Sequence, residues 1–223
     1  MIERLRRLVR PKKILHPRLH RPEFIHRHRG PFLVLGSAPS IISHAEQISR
    51  FIRNHRPIVL SANVPHTVSW LTTQYVGFTN RKRLGQARRF SSLMNTWCLI
   101  GPHIPAQAVW MPHWERMPFV ADDDAPFSIK HGIIQCSCLD CGWLLVAVAF
   151  VMGATEIWMA GFDGYVRGQP SSFYDQPDVK IENSLRRQER IRSTLLPQMR
   201  AVFTEAGVSG PHFLTPSVYA EEP

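Results

Sequence analysis

The sequence contains no uninterrupted apolar run of the roughly eighteen residues that a membrane span requires, and its first residues lack the apolar block of a secretory signal. Cysteine is scarce: there are four, three of them crowded together as Cys136, Cys138 and Cys141, which excludes a disulfide framework and fits a reduced compartment. Neither a P-loop nor a complete G-x-G-x-x-G is present, and there is no low-complexity tract. What remains is a chain of 223 residues, 44% apolar and 20% charged, enough for one globular domain with a full core. The expected compartment is the cytosol.

Charge is unevenly placed. Residues 1–30 carry ten Lys or Arg against Glu3 and Glu23, a net +8 out of the chain's +10, so the rest is nearly neutral at +2. With Ile2, Leu5, Leu8 and Val9 on one side of a short basic helix, this arm suits an anionic membrane surface, which would make the protein peripheral on the inner face of the cytoplasmic membrane. Nucleic acid is not the expected partner, because aromatic residues do not interleave the basic positions as in stacking platforms.

Beyond the arm, the pattern is that of alternating strands and helices. Pro31-Phe32-Leu33-Val34-Leu35 reads as a strand that runs into Gly36-Ser37-Ala38-Pro39-Ser40 and then a helix with Ile41, Ala45, Ile48 and Ile52 on one face. Small residues at such a turn let N–H groups and hydroxyls approach a phosphate or ribose at the positive end of a helix. Ile58–Leu60 and Tyr75–Thr79 are further strands, each ending in an asparagine, Asn63 and Asn80, whose amide both donates and accepts. Trp97–Ile100 and Ala108–Met111 read as two more strands, and Pro112 to Lys130 as irregular. From Trp143 to Met152 the chain is apolar on all sides, a buried helix stopped by Gly153. Ile157–Ala160 is a central parallel strand with both faces covered, and Gly161-Phe162-Asp163-Gly164-Tyr165 leaves its carboxyl end, where open α/β sheets bind ligands. The polar stretch from about 166 to 180 is expected to be a lid. Glu182 to Ala206 is helical with a kink near Pro197, and His212–Leu214 is the last strand. The expected fold class is α/β: one Rossmann-like domain over 31–223, a mostly parallel sheet flanked by helices, after a basic N-terminal arm over 1–30.

Residues 141–165 resemble, without a gap, the helix–strand–(Gly-x-Asp-x-Tyr) segment of the bacterial CMP-sialic acid-dependent sialyltransferases, through Gly142, Ala147, Ala149, Gly153, Glu156, Ile157, Gly161, Asp163 and Tyr165. The chain is also similar to the hydroxymethylpterin diphosphokinase-like and sugar-transferase-like domains associated with cell-surface polysaccharide genes. The loop at Gly36–Ser40 resembles their Gly-x-(Gly/Ala)-Pro-Ser loop, and Leu214-Thr215-Pro216 a similar ending. The resemblance implies a nucleotide-sugar-dependent glycosyltransferase, with a CMP-sugar donor and a glycan or glycolipid acceptor, and no required cofactor. It further implies that Gly36, Ser37, Ser40, Asn63, Asn80 and Asp163 hold the nucleotide, while Tyr165 and Tyr174 donate hydrogen bonds to the leaving phosphate. Two features depart from that pattern: Cys138 stands where the sialyltransferases have arginine, and the histidine they use as base after the lid has no counterpart between His131 and His212. Glu182, at the start of the post-lid helix, is the expected base by position.

Two metal readings are weaker. Cys136, Cys138 and Cys141, with Cys98 or His131 as fourth ligand, do not show the two spaced pairs of a structural zinc site. Asp122-Asp123-Asp124 resembles an Asp-x-Asp metal motif but lacks a preceding strand, so it reads as a solvated loop. The alternatives are an ATP- and Mg²⁺-dependent diphosphokinase using Asp122, Asp124 or Asp163, and a non-catalytic nucleotide- or sugar-binding module.

Overall fold

The computed structural model describes residues 25–63, 72–122, 125–137, 140–169 and 181–220; residues 1–24, Asp123, Asp124, Cys138, Tyr174 and the rest of the loop 170–180 lie outside them. In chain order the first half holds β1 (Gly30–Leu35), α1 (Ser40–Ser43), α2 (Ala45–His55), β2 (Ile58–Ala62), β3 (Tyr75–Phe78), α3 (Arg81–Gln86), β4 (Trp97–Ile100) and β5 (Trp114–Arg116). The second half holds β6 (Phe119–Ala121), β7 (Ser128–Lys130), β8 (Ile133–Cys136), α4 (Cys141–Val151), β9 (Ala154–Ala160), α5 (Ile181–Arg190), α6 (Leu196–Glu205) and β10 (Ser209–Phe213). Seven strands form an all-parallel sheet in the order β10-β9-β1-β2-β3-β4-β5, and β6-β8-β7 form a small separate sheet. The protein is thus a Rossmann-like α/β domain. Among the described residues no helix is long and apolar enough to cross a membrane.

The continuous apolar reading of β1 follows from its place inside the sheet. Phe32 and Val34 face the core around α4, whereas Leu33 and Leu35 face Ile41, Ile48 and Phe51 on the α1–α2 side, so none of these four meets water. Helix α4 is apolar all round for a related reason. It packs against β1, β2 and β9 on one side and shares a core with Phe119 and Ile134 of the small sheet and Met199 and Phe203 of α6. Asp140 caps its first turn, accepting the Gly142 N–H at 3.0 Å, and Gly153 ends it with φ of 102°.

The folded body starts earlier than the expected boundary at residue 31. His26 and His28 donate their backbone N–H groups to the carbonyls of Val151 and Met152, both at 2.9 Å, satisfying acceptors that the end of α4 leaves open. Between them Arg27 forks onto Glu115 of β5, at 2.8 and 3.0 Å. Burial and the neighbouring Arg27 charge lower the His28 pKa, so its ring is neutral near pH 7 and pairs with the Tyr75 hydroxyl at 2.7 Å. Residues 25–29 therefore strap the amino ends of the strands, and that tie withdraws Arg27 from the basic arm.

Several expected elements change. Ala108–Met111 is not a strand: Pro105 and Pro112 bracket it, Ala106–Ala108 is a short 3-10 turn, and the outermost strand is β5 instead. The expected irregular stretch 112–130 holds β5, β6 and β7, each three residues long and too short to show a period. A strand, β6, does precede Asp122, whose carboxylate accepts from the Gln135 side chain at 3.0 Å. Ile157–Ala160 extends back to Ala154 and lies one strand from the edge. The break expected at Pro197 is taken up upstream as a π-helical turn, Ile191–Leu195, because proline has no N–H and its ring would press on the carbonyl four residues back.

The Arg27–Glu115 pair generates the first prediction. Glu115 is 8% exposed, so removing its partner leaves a nearly buried carboxylate uncompensated. Arg27→Ala should cost about 3–5 kcal/mol in urea unfolding, with part of the loss recovered in Arg27→Ala/Glu115→Gln. A loss below about 1 kcal/mol would show that the strap contributes no more than a surface pair.

Candidate functional site

Strands β1 and β9 are neighbours whose chains leave in opposite directions, β1 toward β2 and β9 toward β10, so a crevice opens at their carboxyl ends. The loops that leave them touch. Gly36 N–H donates to Ala160 O at 2.8 Å, and Ala38 N–H to Gly161 O at 3.1 Å. A Cβ on Gly36 would run into the Gly161 carbonyl, and Gly161 itself has φ of 74° with Ile41 against it.

Polar groups then lock the two loops together. The Asp163 carboxylate accepts the Ser40 N–H at 3.0 Å and the Ser40 hydroxyl. Thr215 Oγ1 accepts the Gly161 N–H at 3.0 Å and lies 3.1 Å from Ser40 Oγ. A hydroxyl has one proton, so with the Ser40 proton on Asp163, Thr215 donates to Ser40. Ser40 is buried and its hydroxyl is spent in this chain, so it and Asp163 set the distance between loops, whereas Gly36 and Ser37 face the opening.

A cavity of about 260 Å³ lies over this junction, walled by Gly36, Ser37, Asn63, Asn80, Asp163 and Tyr165 among others. It thus brings together six of the residues expected at the site. Asn63 is held at φ of 59° by its N–H bond to Gly77 O at 2.9 Å. Its Oδ1 is buried with no partner among the described residues, a state that costs stability and suits a ligand donor. Asn80 caps α3: its Oδ1 accepts the N–H groups of Lys82 at 2.8 Å and Arg83 at 3.4 Å, which leaves its amide nitrogen for the mouth. Tyr165 is half-buried and its N–H donates to Gln188 on α5 at 2.5 Å. Glu182 is elsewhere; it pairs with Arg167 at the exposed start of the loop, 2.5 Å apart, and lines neither cavity.

A second cavity, about 830 Å³, adjoins the first and shares Thr79, Asn80 and Arg187 with it. His103, Arg186 and Arg190 also line it. The Thr79 carbonyl can only accept, so its bond to His103 fixes the proton on Nε2 and leaves Nδ1 as a lone-pair acceptor. Sequence reasoning missed His103, although Gly101-Pro102-His103 follows β4 just as Asn63 and Asn80 follow β2 and β3. It also passed over Asp140, whose position before an apolar run is a helix-start signal. Burial pushes the Asp140 carboxyl above its ordinary value, against the opposing pull of the Arg187 guanidinium and the N–H groups of Gly142 and Trp143.

Cys138 lies outside the described residues, and Cys136 and Cys141 share the core around α4. Cys141 donates to Gly77 O at 3.1 Å, while Cys98 sits in a different core cluster, with Val76 and Ile100. Burial pushes both thiols up to about 12. Among the described residues no group of three or more His, Cys, Asp or Glu could hold a metal ion.

The touching loops yield a paired prediction. Gly36→Ala should lower stability by about 1–3 kcal/mol, because the backbone carbonyl it meets cannot turn aside. Gly85→Ala, in α3 with open space around its Cβ, should raise stability by about 0.4–1 kcal/mol. Equal melting of Gly36→Ala and the parent would mean that the loops do not approach as described. No family model, curated protein or solved structure matches the chain.

Proposed function

We propose that the protein is a nucleotide-sugar-dependent glycosyltransferase, similar to the CMP-sugar-using sialyltransferases and serving surface polysaccharide or glycolipid assembly. The observation that carries this reading is the pair of adjoining cavities at the carboxyl ends of the strands, one of nucleotide scale and polar, the other larger, with a common wall at Thr79, Asn80 and Arg187. Two substrates that must exchange a group need adjoining sites.

In this scheme the donor's nucleotide lies over Gly36 and Ser37, with Asn63 and Asn80 offering an acceptor and a donor to its base or ribose. The acceptor hydroxyl oxygen attacks the anomeric carbon, the bond from that carbon to the phosphate oxygen breaks, and the nucleoside monophosphate leaves. Tyr165 donates to the phosphate as charge develops on it. His103 Nδ1, in place of Glu182, takes the hydroxyl proton; its other nitrogen is already held by Thr79, which fixes the ring. Of the carboxylates named for the diphosphokinase alternative, Asp124 lies outside the described residues and the other two are engaged. Asp163 is engaged with Ser40, and Asp122 is engaged with Gln135 and lines neither cavity.

A thermal-shift panel of CMP, UDP, GDP and ATP, with and without Mg²⁺, tests the donor. CMP at about 100 times its Kd should stabilise by about 2.7 kcal/mol without added metal. A Mg²⁺-dependent response to ATP alone would favour the diphosphokinase; no response to any nucleotide, in folded protein, would remove the reading. For the chemistry, Tyr165→Phe should lower donor turnover by about 10²–10³ and His103→Asn by about 10²–10⁴, both with the CMP shift retained. Parental turnover in either variant excludes that side chain from catalysis.

A further inference from the structure

The larger cavity has a charge pattern that the glycosyltransferase reading does not by itself require. Three arginines of α5 line it, Arg186, Arg187 and Arg190, and none of its described lining residues is Asp or Glu. Arg186 and Arg190 are four residues apart and share one side of the helix, while Arg187 stands at the passage and faces Asp140. Phe127, Ile191 and Leu195 add an apolar part to the same wall, and the last two belong to the π-helical turn, a distortion that often accompanies function.

We propose that this cavity binds a phosphorylated sugar, its phosphate held by the guanidinium groups of Arg186 and Arg190. A phosphate monoester carries about −1.5 to −2 charge near neutral pH, and the arginine fork matches its oxygens two at a time. A sugar ring presents C–H faces that fit the apolar wall, and the volume of about 830 Å³ admits more than one ring. Assigning this ligand as the acceptor rests on the glycosyltransferase reading. The anion site does not.

Isothermal titration of the full chain with glucose 6-phosphate, glucuronic acid and glucose tests it, with CMP titrated in parallel. Glucose 6-phosphate should bind, weaken as salt rises, and outcompete glucuronic acid; glucose should show the weakest binding. In Arg186→Ala/Arg190→Ala the phosphosugar should bind about 10- to 100-fold more weakly while CMP binds as before. Arg192→Ala removes a charge from the neighbouring turn, outside the cavity lining, and should leave both unchanged. The inference is overturned if glucose 6-phosphate does not bind folded protein that binds CMP, if the double variant binds it like the parent, or if Arg192→Ala weakens it equally. Phosphosugar binding with the expected arginine dependence but without any nucleotide response would keep the anion site and remove the glycosyltransferase reading.

Discussion

The absence of a side chain at Gly36, where the β1 loop meets the Gly161 carbonyl, is the constraint on which the mouth of this protein depends. With hydrogen at Gly36 the Gly161 carbonyl can come close enough to accept from Ala38, and only then do Ser40, Asp163 and Thr215 fall within hydrogen-bonding distance. These three come from the start of α1, the end of β9 and the chain after β10, so one short polar chain joins three parts of the sequence. Its closure leaves Gly36, Ser37 and Tyr165 around the cavity instead of filling it.

The outline of the sheet was legible because its strands are buried on both faces and so read as unbroken apolar runs. β1, β2, β3, β4 and the core of β9 lie where their hydrophobicity placed them. The three-residue strands β5, β6 and β7 left no such trace, since a period of two needs more than three positions to be seen. At the site, the strand-end rule found the loops and both asparagines but could not separate residues that face the opening from residues that hold it together. Ser40 and Asp163 belong to the second kind, and nothing in their spacing says so. Glu182 was chosen by its distance along the chain, yet it pairs with Arg167 outside both cavities, whereas His103, nearly eighty residues earlier, is brought to the mouth by the parallel register of β3 with β4.

Helix α4 explains how a mouth of this polarity sits on so apolar a core. Its first turn offers free N–H groups, which Asp140 occupies, and the same carboxyl is pushed up by burial and pulled down by Arg187. Arg187 lies near enough to Asp140 to act on its carboxyl and lines both cavities. In the same first turn of α4 the Cys141 thiol donates to Gly77 O, and one turn on Leu145 packs where a side chain at Gly77 would strike it; the remaining turns are spent on packing.

The opposite end of α4 sets the direction of the whole body. Its last carbonyls accept from His26 and His28, so the described chain enters at the amino ends of the strands, while both proposed substrate cavities lie at the carboxyl ends. A strand of six or seven residues, as in β1 and β9, spans roughly 20 Å at about 3.3 Å per residue. Residues 26–28 thus sit at the end of the sheet away from the chemistry proposed here. The basic charge of residues 1–24 lies outside the described residues, whereas the charge on α5 lines a cavity at the carboxyl ends of the strands. Arg27 marks the boundary between them, since its pairing with Glu115 makes it part of the fold and leaves it nothing to offer a surface.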